Sequence, residues 1–382
     1  MHLAFVLPLG EYYSAEWAGA IATITRHLAG ELQRSGHTVT IIAPDDGNEV
    51  FPEGNVLRLR HGSAHPMPTL LRKANTAHAR LKGWTWHDYG PYLRGVTRAL
   101  RSIPDPIDAI VVANDPGTAD RLADAGLSKR TVLWLHNRLE GAETRPFASL
   151  SDRVAVVAVS QAVVDWTSER YLPSTPITVI HSGVDHERFL PRSDYLEVRD
   201  PVRVITHGRI DPNKGHEVAA AAVARLRQAG LPVEITLIGA VRTFGYSAED
   251  AAAYADSVRD AMESADGTML GWMPHEELAE QIRQHDVACV LSRVDEPFPL
   301  TSLEAMASGC AIIAARKGGI PEGVGNAGAL VDADAPDQVA AVLEGWVRDR
   351  GLLTSMKRAA AERAGEFTWS ATASALLRIL DD

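Results

Sequence analysis

Two glutamates eight residues apart, Glu296 and Glu304, belong to the stretch of this chain with the clearest chemical content. Pro297 and Pro299 lie between them, remove backbone donors and restrict their neighbours, so we expect Glu296 on a loop and a helix that begins near Thr301. Glu304 would then fall in the first helical turn, and the free N–H groups of the helix start would face the loop. This arrangement predicts an anion site flanked by carboxylates, suited to a phosphate attached to polyhydroxylated groups. The alternative is an acidic helix start with a proline-rich entry.

Two cations, Arg209 and Lys214, follow the predicted strand Val202–Thr206 and precede a predicted helix. Fixed cations beside a helix N-terminus can hold a diphosphate and neutralise the charge that it carries as a leaving group. The alternative is a pair of surface cations near a turn. Because the two glutamates lie in the same half of the chain, we favour the diphosphate site.

Glycines stand at the ends of two further predicted strands. Gly239 ends one of them, and Gly271, Trp272 and Met273 end the next. Glycine at a strand end permits the close approach of a ligand, so a nucleotide base could meet backbone atoms at 271–273. Simple turn glycines are the equally weighted alternative.

In the N-terminal half, His136 follows the predicted strand Thr131–Leu135. A lone histidine at a strand end is more often structural, but this one is expected to face a cleft, and we favour a function for it. Gly10 precedes the first predicted helix, and Gly19 and Ala20 open it. The three glycines over six residues of a dinucleotide-binding loop are absent, which argues against an NAD enzyme.

Short apolar runs alternate with helical patterns, which predicts an α/β protein with doubly wound parallel sheets. The first half is expected to hold strands Leu3–Leu7, Thr38–Ala43, Val56–Leu59, Ala109–Val112, Thr131–Leu135, Val154–Val159 and Ile177–Ile180. The second is expected to hold strands Val202–Thr206, Val233–Ile238, Thr268–Leu270, Val287–Leu291, Ala311–Ala315 and Ala329–Val331. A polar seam over 183–201 separates these two Rossmann-like halves, and two or three helices are expected from Pro336 onward. Two such sheets facing one another would form a cleft for ligands.

Length and composition narrow the class of protein. The 382 residues predict two domains, and 46% hydrophobic with 23% charged residues is ordinary for a soluble protein. The net charge of −11 argues against a general nucleic-acid or membrane-surface binder. Cys289 and Cys310 lie in apolar or small-residue surroundings, and no signal peptide or long apolar run is evident. We therefore expect a cytoplasmic protein, and the sequence leaves its oligomeric state open.

Charge is uneven along the chain. Between 54 and 104, nine lysines and arginines accompany a single acid, Asp88, together with several histidines and aromatic residues. These residues could form solvated basic helices, or a surface that meets an anionic acceptor or a membrane interface. Both interpretations stay open, with membrane contact the less favoured.

The sequence lacks a Ser-His-Asp elbow, a phosphate-binding P-loop and a zinc-binding pattern. The acidic pairs Asp45-Asp46 and Asp295-Glu296 could suggest a metal ion. No other residue pattern supports one, and the two cations would already do a metal's electrostatic work, so no metal is predicted.

Together these motifs resemble the retaining glycosyltransferases of the GT-B fold, family four, over nearly the whole chain. The matching segments are the helix opening at Gly19-Ala20, Ser35-Gly36-His37-Thr-Val, Leu133-Trp-Leu-His136, Val159-Ser160, Val179-Ile-His-Ser-Gly183-Val-Asp185 with Phe189, Gly208-Arg209 with Lys214-Gly215, and Glu296 with Glu304-Ala-Met-Ala-Ser-Gly309.

The resemblance implies an acceptor-binding domain over 1–182, a nucleotide-sugar-binding domain over 183–366, and a C-terminal helix over 367–382 that packs back on the first domain. Arg209 and Lys214 would contact the diphosphate, Glu296 the sugar hydroxyls and Glu304 the ribose hydroxyls. His136 would reach the donor sugar from the opposite half, and Gly19 and Ala20 would approach the phosphates when the cleft closes. The remaining donor-site residues would be Gly208, Gly239, Gly271, Trp272, Met273, Phe298, Pro299, Leu300 and Thr301.

The resemblance also implies the reaction. Sugar would be transferred with retention of anomeric configuration, without metal or cofactor, and the departing phosphate oxygen would take the acceptor's proton. The donor would be a hexose or amino-hexose linked to a nucleotide, and a UDP-sugar is favoured. Two residues depart from the family pattern, which usually has glycine at the positions of Pro299 and Ala20. Neither change removes a charged group, so activity is expected to persist.

The acceptor is less well defined than the donor. We favour a small hydroxylated molecule such as an aminocyclitol or a natural-product aglycone, since a cationic acceptor would be drawn to a protein of net negative charge. The alternative within the class is a cell-envelope enzyme acting on a lipid-linked or phosphorylated acceptor, which the basic stretch 54–104 supports. A nucleotide-sugar epimerase on the same fold and a non-catalytic nucleotide-sugar sensor are the competing classes.

Overall fold

The alternation of apolar runs and helical patterns gives one parallel sheet in each of two units. The computed structural model describes residues 1–60, 91–138, 150, 152–170, 175–241 and 247–381. One unit comprises Met1–Gly183 with Trp369–Asp382, and the other comprises Val184–Thr368. Every predicted strand is present, with ends that differ by a residue or two, so the α/β assignment with doubly wound sheets is confirmed.

The sheet of the first unit has, within the described residues, seven parallel strands in the order β3-β2-β1-β4-β5-β6-β7. Its strands are β1 His2–Val6, β2 Thr38–Pro44, β3 Asn55–Leu59, β4 Ala109–Ala113, β5 Arg130–Leu135, β6 Val154–Ala158 and β7 Ile177–Val179. Its helices are α1 Ala20–Arg34, α2 Pro91–Arg101, α3 Pro116–Asp124, α4 Gln161–Arg170 and the last helix of the chain, α12 Trp369–Asp381. The central strands β1 and β4 are buried along their whole length, as continuous apolar runs in a covered parallel sheet require.

The last helix, α12, packs within the first unit although it follows the second in sequence. The rings of His27 on α1 and Trp369 on α12 stack with centroids 5.1 Å apart. The Thr372 hydroxyl donates a hydrogen bond of 2.9 Å to the His181 carbonyl. The unit is therefore built from both ends of the chain.

The sheet of the second unit has, in the part of the chain described, six parallel strands in the order β10-β9-β8-β11-β12-β13. Its strands are β8 Val202–His207, β9 Val233–Ile238, β10 Thr268–Met269, β11 Val287–Val290, β12 Ala311–Ala315 and β13 Ala329–Val331. Its helices are α5 His216–Gln228, α6 Ala248–Ser264, α7 His275–Ile282, α8 Leu300–Ala307, α9 Ile320–Val324, α10 Pro336–Arg348 and α11 Arg350–Ala364. With α12, three helices follow Pro336, as predicted.

The strand order of the second unit reverses direction between β8 and β11, which pair in parallel with Val287 opposite Val204. The chain segments that leave the carboxyl ends of these two strands must diverge to opposite faces of the sheet. Such a switch point leaves a crevice where ligands of doubly wound folds bind. The loop that carries Arg209 and Lys214 leaves β8, and the loop that carries Glu296 leaves β11.

The helix after the Glu296 loop begins at Leu300, with Pro299 in the extended N-cap position. The prediction that Glu304 lies in the first turn is therefore wrong, because the helix begins one residue earlier than Thr301 and Glu304 is its fifth residue. Proline at the N-cap leaves Leu300 free to adopt helical backbone angles, since the restriction imposed by a proline falls on the residue before it. Glu296 lies on a loop, as predicted.

Candidate functional site

The loop after β8 is a tight, charged turn around the buried carboxylate of Asp211. Asp211 is 1% exposed, and its Oδ1 accepts a hydrogen bond of 2.9 Å from the backbone N–H of Asn213. The Arg209 guanidinium lies 3.2 Å from Asp211 Oδ2, and the Lys214 N–H donates to the Asp211 carbonyl at 3.0 Å. One aspartate therefore fixes both predicted phosphate-binding residues relative to the strand end.

A buried histidine, His216, holds the same turn from the first position of α5. Its Nε2 lies 2.9 Å from the Arg209 carbonyl and its Nδ1 lies 2.7 Å from the Thr206 hydroxyl. Burial lowers the pKa of His216 to about 4, so the ring is neutral at pH 7. A carbonyl can only accept, so Nε2 carries the proton and Nδ1 accepts from Thr206. The imidazole thus connects β8 to the backbone of Arg209.

Two glycines let backbones approach closely at this strand end. Gly215, the N-cap of α5, has φ +63°, and a Cβ there would lie 2.4 Å from the Leu291 carbonyl oxygen. A Cβ at Gly239 would lie 1.8 Å from the Gly208 carbonyl oxygen. Protein backbone therefore leaves no room for a side chain at Gly239, and the predicted approach of a ligand there stays a prediction.

Lys214 and Glu296 meet across the switch point. The Lys214 ammonium donates to Glu296 Oε1 at 2.5 Å, and the buried Ser292 hydroxyl donates to the same oxygen at 2.6 Å. Burial raises the pKa of Glu296, but the Lys214 charge, these two hydrogen bonds and the nearby Arg209 outweigh it, so the pKa lies below its usual range. Glu296 is thus a carboxylate that accepts hydrogen bonds, and it pairs with one of the two predicted phosphate-binding cations.

A third loop, after β12, supports the Glu296 backbone. The Gly319 N–H donates to the Glu296 carbonyl at 2.7 Å. Gly318 has φ +51°, and a Cβ there would lie 2.3 Å from the Glu296 carbonyl oxygen. The sequence reasoning missed these residues, although two adjacent glycines shortly after a buried strand were a signal that a neighbouring backbone comes close.

Arg293 also joins the loops after β8 and β11. Its guanidinium donates to the Pro212 carbonyl at 2.7 Å and forms close ion pairs with Glu217 and Asp334. Burial lowers the pKa of Arg293, but the bonds to Asp334 and Glu217 raise it overall, so the side chain stays charged. The residues on each side of the switch point are held by this bridge.

The start of α8 offers backbone donors beside Glu296. Pro299 provides no side-chain cap, and the buried Ser302 hydroxyl has no hydrogen-bond partner. Phe298 is buried against Phe367, with ring centroids 5.5 Å apart, and this contact anchors the entry to the helix. The Leu300 and Thr301 N–H groups belong to the first helical turn, which favours an anion at this end of the helix.

Glu304 lies next to a buried histidine at the end of β8. Its Oε2 is 3.8 Å from Nε2 of His207, whose two ring nitrogens are buried without hydrogen-bond partners. The Glu304 side chain is 15% exposed. Glu304 therefore lies beside the residue that directly precedes the loop of the two cations. His207 has no counterpart in the predicted site, and only its place at the end of a buried strand could have indicated it.

The segment 271–273 is the most exposed part of the predicted site. The Gly271 carbonyl accepts a hydrogen bond of 2.9 Å from the Gly239 N–H, and Gly271 has φ +75° with open space beside its Cα. The Trp272 side chain is exposed, and Met273 is half-buried. These features leave room for a ligand at the segment, and the predicted contact with a base stays a prediction.

In the first unit, His136 is buried at the carboxyl end of β5. Its backbone N–H donates to Asn114 Oδ1 at 2.7 Å, and its ring stacks on Trp134 with centroids 5.4 Å apart. Burial lowers the pKa of His136 to about 3, so the imidazole is neutral at pH 7. Asn114 was missed, although an asparagine directly after the buried strand β4 is suited to the positive φ of 54° that it adopts.

Gly19 and Ala20 lie at the start of α1, and Gly19 faces a carboxylate of the same unit. A Cβ at Gly19 would lie 2.5 Å from Glu11 Oε1, and Glu11 Oε2 accepts a weak hydrogen bond of 3.4 Å from the Ala22 N–H. Burial raises the pKa of Glu11, although hydrogen bonds from the Ala22 and Gly19 backbone act to lower it. A phosphate that approached Gly19 would have to displace this carboxylate.

Of the predicted site residues, the structure brings Arg209, Lys214, Glu296 and Glu304 together in the second unit, with the start of α8 beside them. It places His136 in the first unit, where it lines, together with residues of α1, a small cavity of about 10 Å³. No helix in the described part of the chain is both long and apolar enough to cross a membrane.

Comparison with known families covers both units. The family described as Glycosyltransferase Family 4 matches residues 21–188, and the family described as Glycosyl transferases group 1 matches residues 191–363. The boundary between these matches falls close to the boundary between the two units.

Relatives of established name give the same class. The chain is 32% identical over 255 residues to D-inositol 3-phosphate glycosyltransferase of Segniliparus rotundus. The aligned region covers 62% of this chain and 56% of that protein. The chain thus spans little more than half the length of that relative. It is 25% identical over 401 residues to phosphatidyl-myo-inositol mannosyltransferase of Mycolicibacterium smegmatis. This alignment covers 100% of this chain and 94% of that protein.

Solved structures agree on the fold. The Anabaena protein HepE, in complex with UDP and glucose, superposes with a TM-score of 0.71 at 17% identity and covers 99% of both chains. This similarity establishes the GT-B fold. With a matching family on each unit and named relatives of one class, the chain belongs to the group 1, family-four-like glycosyltransferases.

Proposed function

We propose that this protein transfers a sugar from a nucleotide-sugar donor to a hydroxylated acceptor, with the donor bound at the switch point of the second unit. The observation that carries the proposal is the meeting of Arg209, Lys214 and Glu296 beside the start of α8. Two cations and a helix N-terminus provide the positive charge that a diphosphate requires. The ionised Glu296 provides acceptors for sugar hydroxyls.

The site geometry suggests how the diphosphate is bound. Lys214 pairs with Glu296, while Arg209 lies beside Asp211, so each cation carries an internal counterion. We propose that the diphosphate takes hydrogen bonds from both cations and from the first turn of α8. Because both protein donors to Glu296 end on Oε1, its Oε2 can accept from a sugar hydroxyl.

The proposed reaction is retaining and needs no metal. The bond from the anomeric carbon to the phosphate oxygen breaks, and the acceptor oxygen bonds to that carbon on the same face. The acceptor's proton moves to the departing phosphate oxygen. Positive charge that is already in place stabilises the developing negative charge on the leaving group without further reorganisation. His136 is proposed to act in the transfer rather than in nucleotide binding, and as a neutral imidazole it can donate one hydrogen bond.

For the donor we propose a UDP-sugar, which the complex of the Anabaena protein with UDP and glucose supports. Glu304 would accept from the ribose hydroxyls beside His207, and the backbone at 271–273 would meet the base. For the acceptor, the names of the relatives support a phosphorylated or lipid-linked polyol over an aminocyclitol or an aglycone. We therefore propose a phosphorylated cyclitol as the acceptor class.

Substitution of either cation tests the site. Arg209→Ala and Lys214→Ala should each lower turnover about 100-fold, because each removes a positive charge from the leaving group. Turnover is measured by release of UDP from UDP-sugars in the presence of a phosphorylated cyclitol. Arg259→Ala, which removes the same charge from an exposed position on α6, should leave turnover unchanged.

Unchanged turnover in both Arg209→Ala and Lys214→Ala would contradict the phosphate site. The anomeric configuration of the product, read by NMR, tests retention separately. An inverted product would reject the proposed front-face reaction and leave the donor site standing.

A further inference from the structure

We propose that His207 is a positioning residue of the donor site. When the nucleotide binds, the His207 ring donates a hydrogen bond to Glu304 and so orients that carboxylate toward the ribose hydroxyls. This inference rests on the proposed function, which assigns the ribose to Glu304. It goes beyond that function because His207 has no place among the residues assigned so far to donor binding.

The end of β8 directs His207 toward Glu304. Consecutive residues of a strand point their side chains to opposite faces of the sheet. Thr206 contacts α5 on one face, with 2.7 Å between its hydroxyl and Nδ1 of His216. His207 therefore points to the other face, where α8 packs against β11 and β12 and carries Glu304. The strand end thus places the imidazole beside the residue that we assign to the ribose.

The His207 ring is buried without being satisfied. Its side chain is 1% exposed, and neither ring nitrogen has a hydrogen-bond partner among the described residues. A histidine ring carries at least one N–H in every protonation state, and a buried donor without an acceptor destabilises the fold. Two other buried histidines of this unit, His216 and His285, bond backbone carbonyls at 2.9 Å and 2.8 Å. An unmet donor such as His207 is typical of a functional position, where stability is lost for the sake of a ligand.

Glu304 is the acceptor that the geometry offers to this donor. Its Oε2 lies 3.8 Å from Nε2 of His207, about 1 Å beyond the length of a charged hydrogen bond. The Glu304 side chain is 15% exposed, so the carboxylate reaches solvent while the ring behind it does not. A small rotation of Glu304 closes the gap to Nε2 and leaves the other oxygen to accept from a hydroxyl.

The expected effect of this hydrogen bond is on affinity for the ribose. Once formed, the bond restricts the Glu304 carboxylate, so binding of the ribose does not have to immobilise it alone. A hydrogen bond to a charged acceptor is also roughly twice as strong as one between neutral groups. Both effects act at the nucleoside end of the donor, away from the anomeric carbon. His207 should therefore govern discrimination between nucleotides more than the rate of transfer.

Binding of deoxynucleotides tests this role independently of catalysis. Calorimetry on the full chain measures the dissociation constants of UDP and of its two analogues that each lack one ribose hydroxyl. We expect the wild type to prefer UDP over at least one analogue by about tenfold or more, because the analogue leaves the Glu304 charge without its donor. His207→Phe should lower this preference at least about threefold, and Glu304→Ala should abolish it.

The position of the donor atom provides a sharper test. The side-chain amide of glutamine reaches about as far as Nε2 of histidine, whereas that of asparagine ends near the place of Nδ1. Because Nε2 faces Glu304, His207→Gln should keep the preference for UDP and His207→Asn should lose it. In a Glu304→Ala background, His207→Phe should not change the preference further, since the two residues act as one unit.

Thermal unfolding separates a positioning role from a structural one. His207→Phe removes two buried nitrogens that lack partners in the described part of the chain, so the unliganded variant should be at least as stable as the wild type. The matched control is His285→Phe, which removes a buried ring of the same unit that bonds the Gln281 carbonyl. This control should lower the unfolding midpoint and leave the preference for UDP unchanged.

An unchanged preference for UDP in His207→Phe would overturn the proposal, and a loss of stability in that variant would then assign His207 to the fold alone. A loss of preference in His207→Gln as large as in His207→Asn would also count against it. If the wild type binds UDP without a preference over the analogues, this inference fails and the proposed function stands. If the wild type does not bind UDP, both fail.

Discussion

Lys214 and Glu296 form a partly buried ion pair. Substitution of either side chain therefore leaves the other charge partly buried without its partner. Their side chains are 20% and 16% exposed. The Lys214 charge helps to hold the pKa of Glu296 below its usual range despite burial. A residue that we assign to the phosphate therefore also stabilises the resting protein, and binding of a diphosphate would compete with Glu296 for Lys214.

A double-mutant cycle over Lys214→Met and Glu296→Gln measures this coupling. We expect about 1–3 kcal/mol at pH 7 from urea unfolding, the range for contacting residues in one network. Because the folded pKa of Glu296 is depressed, the coupling is present at pH values above its unfolded pKa. It is lost as the pH falls through the folded pKa. The same cycle on the exposed pair Arg259 and Asp256 should give less than about 1 kcal/mol. Equal coupling in both pairs would contradict the special environment of Lys214.

At the scale of elements, the apolar runs determined where strands form, and the strand order determined which loops meet. The strands could be predicted because continuous buried runs such as Ala311–Ala315 are typical of covered parallel sheets. The meeting of the loops after β8 and β11 depends on the switch point, which local sequence patterns do not specify. Contacts of Ser292 and His207 with the two glutamates followed from that pairing and were therefore missed. The helix start at Leu300 was predicted to within one residue.

Gly215 and Gly230 test how closely the β8 and β11 loops must approach. Both have positive φ at the two ends of α5, +63° and +76°. Gly230→Ala should cost about 1 kcal/mol, because its Cβ meets open space and only backbone strain remains. Gly215→Ala should cost clearly more and weaken UDP binding, since its Cβ would lie 2.4 Å from the Leu291 carbonyl and push the turn of Arg209 and Lys214 away from β11.

Thermal unfolding measures the stability of both variants, and calorimetry measures their affinity for UDP. Equal losses of stability, with UDP affinity intact in both, would mean that the close contact at Gly215 is relieved without moving the site.

At the scale of the whole molecule, three buried histidines connect folding to pH. Burial lowers the pKa of His136 to about 3, of His216 to about 4 and of His285 to about 4, and they lie in both units. Each is neutral in the folded protein and takes up a proton when the chain unfolds at mildly acidic pH. Stability from these groups is complete above their unfolded pKa of 6.5 and is lost as the pH falls toward 4.

Heat unfolding between pH 8 and pH 5.5 should therefore show a falling midpoint. At pH 5.5 each histidine is expected to cost about 1.4 kcal/mol, equivalent to roughly 3–6 °C for a unit of this size. His285→Gln should reduce the pH dependence of the second unit, because it removes one of that unit's two strongly shifted histidines and can still donate to the Gln281 carbonyl. The carboxylates with lowered pKa values titrate at more acidic pH, so they leave this window unaffected. A midpoint that stays constant from pH 8 to pH 5.5 would show that these imidazoles accept protons in the folded protein.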